Sequence, residues 1–146
     1  MKKLTVAFLS ICFSLLFSQS VGAADRVLYF PIQDAMNTSE AKEKLNSGVR
    51  FHFGARGPAA RERLGTYTTS QRTNAFGKTD QASCNRVFLS AMIRLQSRAQ
   101  SLGADAVVNI VSYFKKNTHS STTDFECHVG AIMSGVALKG DFIRTR

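Results

Sequence analysis

The sequence predicts an α+β domain in which one long amphipathic helix packs on a mostly antiparallel or mixed sheet. Three patterns carry that expectation. Between Asp80 and Leu102, the residues Phe88, Ala91, Met92, Leu95, Ala99 and Leu102 recur at three- and four-residue spacing, the period of a helix with one apolar face. Ala106 to Phe114 (AVVNIVSYF) is apolar on both faces, as a central strand is. Phe125, Cys127, Val129, Ala131 and Met133 alternate with Glu126, His128 and Ser134, the period-two signature of a strand with one buried face.

The other elements follow in order. Val27 to Ile32 reads as a short strand ending near Pro31. Asn37 with Glu40 three residues on resembles a capping box, opening a short helix through Ala41 and Leu45 that stops near Gly48. Val49, Phe51 and Phe53 alternate with Arg50 and His52 as a second strand. Gly54 to Arg61 is a loop, and Leu64 to Thr73 has a strand composition with a polar pattern, suited to a sheet edge. Thr79 or Asp80 can cap the long helix and Gly103 can end it. The strand over Phe125–Met133 is expected to bend near Gly130 or Gly135 and to continue through Val136–Leu138, and the basic tail Arg144–Arg146 is expected to fray. The domain is expected over residues 24–146, with strands and a short helix in 24–79 and a helix–strand–strand core in 80–140.

The first 23 residues read as a cleavable signal peptide. Lys2 and Lys3 precede a 14-residue apolar run from Leu4 to Phe17, and Val21-Gly22-Ala23 offers a small residue for cleavage near Ala23. Fourteen residues fall short of the roughly 20 needed to span a bilayer, so no transmembrane segment is expected in the mature chain. Ile11 before Cys12 is a poor lipobox, so Cys12 leaves with the signal. The expected location is periplasmic or secreted.

Removing the signal leaves 17 basic and 10 acidic residues, a formal charge of +7. That balance favours acidic partners: an envelope protein, an anionic membrane or a lipopolysaccharide surface. No run of lysine and arginine is dense enough to mark a nucleic-acid patch, and an exported protein is not expected to meet nucleic acid. The candidate anion contacts are Arg56, Arg61 and Arg63 around the glycine-rich loop, and Arg86, Arg94 and Arg98 on the polar helix face.

Two cysteines remain, Cys84 and Cys127. In an oxidising compartment they are most simply one disulfide; two free thiols or half of a metal site are the alternatives. The helical period puts Cys84 on the apolar helix face and the strand period puts Cys127 on the apolar sheet face, so both sulfurs can meet in one interface. Closing a loop of about 44 residues is worth roughly 4 kcal/mol in the chain-entropy model.

Leu102 to Asn109 (LGADAVVN), following a helix with an arginine-rich outer face, resembles the signature of the YbjQ-like family of small heavy-metal-binding domains. With the strand ending Gly135-Val136-Ala137-Leu138, the region from Cys84 to Leu138 is also similar to the Rcs-pathway stress-sensor lipoproteins of the outer membrane. That likeness implies a strand–helix–strand–strand core with two disulfides. Cys84 and Cys127 stand at the positions of one bridge; Ser112 and Met133 stand where the second would fall. The amino-terminal half does not match the sensor, so signalling to the Rcs system is not carried over. The whole mature chain resembles exported bacterial proteins often labelled excinuclease ATPase subunit. The label does not fit: the chain has no phosphate-binding loop, and Phe76-Gly77-Lys78-Thr79 lacks that motif's first glycine, since Arg72 occupies its place.

No catalytic set is legible. His128 adjoins Cys127, but neighbouring strand residues point to opposite faces, and a Cys84–Cys127 bridge removes both thiols a nucleophile would need. His52, Cys84, Cys127 and His128 are the only weak metal candidates, and their spacing matches no tight ligand motif. No cofactor is expected. The expected function is a non-enzymatic, stress-related or partner-binding envelope module; the alternative is a metal- or thiol-responsive sensor using Cys84 and Cys127.

Overall fold

The computed structural model describes residues 25–146. The expected signal peptide, with Cys12 and the expected cleavage near Ala23, lies outside them. The described residues fold as a mixed α/β unit of six strands in one curled sheet, three α-helices and a single 3-10 turn. In chain order these are β1 (Arg26–Pro31), α1 (Ile32–Met36), α2 (Ser39–Lys44), β2 (Arg50–Phe53), β3 (Glu62–Asn74), α3 (Asp80–Leu102), β4 (Ala106–Ser112), the 3-10 turn Phe114–Lys116, β5 (Asp124–Val129) and β6 (Met133–Arg144).

β6 organises the sheet. β3 runs antiparallel along one of its edges from Asn74↔Met133 to Glu62↔Arg144. The other edge is shared: β5 pairs at Ser134 and Gly135, and β4 pairs from Leu138 to Ile143. β1 extends the β5 limb antiparallel and β2 extends the β4 limb parallel. Two limbs diverging from one strand curl the sheet around α3. The β4 register shifts between Val108 and Val111, where Asn109 takes a left-handed φ of 51°, a conformation asparagine tolerates better than most residues.

α3 starts where Thr79 accepts a hydrogen bond from the Ala82 N–H, 3.1 Å, and ends at Gly103 with φ 70°. It buries Cys84, Val87, Phe88, Ala91, Met92, Leu95 and Ala99, and leaves Arg86, Arg94 and Arg98 exposed. The Cys84 and Cys127 sulfurs are bonded, and both residues are fully buried. Four residues on, Phe88 stacks on Phe125 with ring centroids 4.2 Å apart. Four helical residues rise about 6 Å and two strand residues about 6.6 Å, so helix pair 84/88 faces strand pair 127/125 in register. Ser83 and Ser134 hydroxyls, 2.8 Å apart and buried, tie the start of α3 to the start of β6.

Several local expectations are corrected. Pro31 ends β1, but Ile32 opens a five-residue helix there, with Ile32 and Ala35 buried. Thr38, not Asn37, caps α2: its hydroxyl accepts from the Ala41 N–H, 3.1 Å. The alternating run through Met133 is two strands, because the chain reverses at Gly130–Ile132 and Gly130 N–H donates to the Met133 carbonyl, 2.8 Å. The period-two signal persists across the turn by parity alone; Ala131, Ile132 and Met133 are exposed. The carboxyl end does not fray at Arg144. The Arg144 guanidinium donates to the Gly103 carbonyl, 2.9 Å, and pairs with Glu62, 2.6 Å, while the Thr145 N–H and hydroxyl both donate to the Asp105 carboxylate.

Candidate functional site

The four weak metal candidates do not converge. Cys84 and Cys127 are consumed in a buried bond. Among the described residues, no group of three or more His, Cys, Asp or Glu side chains is placed to hold a metal. His52 Nε2 is buried with no hydrogen-bond partner. His128 points to the face opposite Cys127 and joins a cluster that sequence reasoning missed. There its Nε2 meets a Glu126 carboxylate oxygen at 2.5 Å, and its ring stacks on Phe114 with centroids 3.5 Å apart. The Tyr29 hydroxyl donates to the other Glu126 oxygen, 3.5 Å, and its ring leans on His119. The i,i+2 spacing of Glu126 and His128 on a strand was the available signal.

This cluster does not include the nearby Ser134 hydroxyl, which is buried against Ser83. What it does hold is the loop after β4. Lys115 and Lys116 there adopt φ of 49° and 65°, conformations costing about 1–3 kcal/mol each in non-glycine residues. The Phe114–His128 stack and the Ser112–His119 backbone bridge offset that strain.

The six candidate arginines disperse. Arg56 and Arg61 are exposed in the loop before β3, and the Arg61 N–H donates to the Arg144 carbonyl. Arg63 faces a small cleft beside Asn109 and Pro58. Arg86 lies with Lys78 and Glu40 where α3 meets α2. Glu40 is held below the usual carboxylate range mainly by its hydrogen bond from Lys44, 2.6 Å.

Only Arg94 and Arg98 are brought together. One helical turn apart, they line a groove of about 370 Å³ between α3 and β3, walled on the strand side by Tyr67, Thr68 and Thr69. Its floor is Leu95 and Phe142, both buried. The Arg98 guanidinium lies 4.4 Å over the Tyr67 ring, a cation–π contact, and Tyr67 meets Phe142 edge-on at 5.3 Å. That stack fixes Arg98 before any ligand arrives. Among the described residues neither Arg94 nor Arg98 is in an ion pair, and no carboxylate lines the groove. The arrangement suits recognition of anionic groups.

No helix among the described residues is long and apolar enough to cross a membrane. Comparisons with family models, curated proteins and solved structures give no match.

Proposed function

We propose that this chain is a small exported, non-enzymatic module of the cell envelope that binds an acidic partner through the Arg94–Arg98 groove. The observation that carries the reading is two guanidiniums over an apolar floor, Arg98 stacked on Tyr67 and Arg94 one turn away, with no carboxylate among the described residues lining the groove. Export, periplasmic or secreted location and a YbjQ-like core are parts of the same reading. The buried disulfide supports the location, since such bonds persist in oxidising compartments. The surplus of basic residues supports an acidic partner over a basic one.

The test is site-specific photo-crosslinking in intact cells from Ser97, which is exposed and lines the groove. The expected result is one specific protein adduct that the double variant R94E/R98E loses. No adduct from Ser97, together with measurable turnover of some substrate by the purified protein, overturns the reading.

A further inference from the structure

We infer that the groove takes its partner as an added β-strand: an extended acidic segment pairs with the free edge of β3 and sends alternate side chains to Arg94 and Arg98. This rests on the partner-binding reading and specifies how binding occurs.

β3 is the first support. It spans 13 residues and pairs only with β6, so among the described residues its second edge carries unpaired backbone N–H and carbonyl groups. No residue of β3 is buried. Natural edges are shielded by shortness, proline, lysine or a bulge. β1 ends on Pro31, and β2 has four residues with a register shift. β3 contains neither proline nor lysine, its charged residues are Glu62 and Arg63 at its start and Arg72 near its end, and its single shift, at Arg63/Gly65, leaves Thr66 to Asn74 regular. Those residues span about 30 Å, room for a peptide of eight or nine residues.

The second support is where the groove lies. Three consecutive β3 residues, Tyr67, Thr68 and Thr69, form its wall, so the strand's backbone borders the cleft and not only its inward side chains. α3 forms the opposite wall. A strand laid beside β3 therefore lies between an edge strand and a helix, where main-chain bonds supply affinity and side-chain pockets supply specificity.

Charge selects the occupant. A side chain facing α3 meets Arg94 and Arg98. One facing the other way lies beside the exposed Thr68 and Ser70, with Arg72 further along. Alternating carboxylates and β-branched residues satisfy both rows, because guanidinium–carboxylate bonds are strong and β-branched residues suit a pleated surface.

The probe is a capped ten-residue peptide of alternating Glu and Val, titrated by fluorescence anisotropy into the oxidised protein. Three results are expected. R94E/R98E weakens binding about tenfold or more, with unchanged circular dichroism. N-methylation of alternate peptide amides abolishes binding in one of the two registers. Every second β3 amide between Thr66 and Arg72 gains hydrogen-exchange protection on binding. Binding that survives N-methylation in both registers overturns strand addition; if Ser97 still captures a partner in cells, the partner-binding reading stands without it. A concentration-dependent dimer that protects the same β3 amides and excludes the peptide overturns the inference in favour of a second copy. Phosphatidylglycerol vesicles bound in an Arg94- and Arg98-dependent way, with no peptide binding, overturn it in favour of a lipid surface.

Discussion

Gly140 shows how close the strands and their side chains come. A Cβ placed there would stand 2.7 Å from Val107 Cγ1 and 3.3 Å from Ile110 Cγ1, both belonging to buried residues of β4. Gly140→Ala is expected to destabilise the fold by about 1–3 kcal/mol, the range for overpacking a filled core, read as a lower urea midpoint at constant slope. Asp105 acts through charge. The Thr145 hydroxyl and N–H hold its carboxylate below the usual range, aided by Arg50. A depressed folded pKa adds stability that is complete above the ordinary aspartate value, about 4, and is lost as pH falls through the lower folded value. The stability gap between the wild type and Asp105→Asn should therefore narrow on acidification from about pH 6 to pH 3. A gap that stays constant would show that the carboxylate's charge is not what matters.

At the scale of elements, the interface between α3 and β5 concentrates stability. Cys84→Ala/Cys127→Ala is expected to lose about 4 kcal/mol, seen as a lower denaturant midpoint, and to keep its far-ultraviolet spectrum under native conditions. Thiol reagents are expected to label neither cysteine of the purified native protein, with or without chelator. Labelling after chelation alone would revive a metal role. Much of this interface is readable from periodicity. The 3.6 period places Cys84 and Phe88 on one face and the two-residue period places Phe125 and Cys127 on another, and their registers coincide. The reversal at Gly130–Ile132 is not readable the same way. An alternation count is blind to a turn that preserves parity, and Ala131 and Met133 keep the count while pointing to solvent. The helix Ile32–Met36 escapes notice because five residues are too few to show a period.

At the scale of the molecule, basic charge is a matter of placement. Six arginines were candidates from composition, yet only Arg94 and Arg98 share a groove. Their i,i+4 spacing was visible; their neighbour Tyr67, 27 positions before Arg94, was not, because the contact depends on β3 crossing beneath α3. Binding at the groove should weaken several-fold between 50 and 500 mM salt, because exposed charges are screened over about 10 Å at 0.1 M and about 3 Å at 1 M. Anisotropy titrations at several salt concentrations measure this, and a flat response would remove the guanidiniums from the account. The Glu126–His128–Phe114 cluster was likewise legible only in part: strand parity pairs the two polar residues, but Phe114 arrives from a loop whose left-handed lysines no pattern announces.

β6 has a consequence for the order of events in the cell. It is the common partner of β3, β4 and β5, and it is the last of these elements to be synthesised. Until Met133–Arg144 leaves the ribosome, β3 has no strand to pair with and the two limbs have nothing to join them. Backbone groups left open in this way cannot form a stable sheet. The sheet therefore cannot be completed in the nascent chain before Met133–Arg144 has been made. The lock between Cys84 and Cys127 can close only after β5 has also arrived, so bridge formation waits on β5 and sheet completion waits on β6.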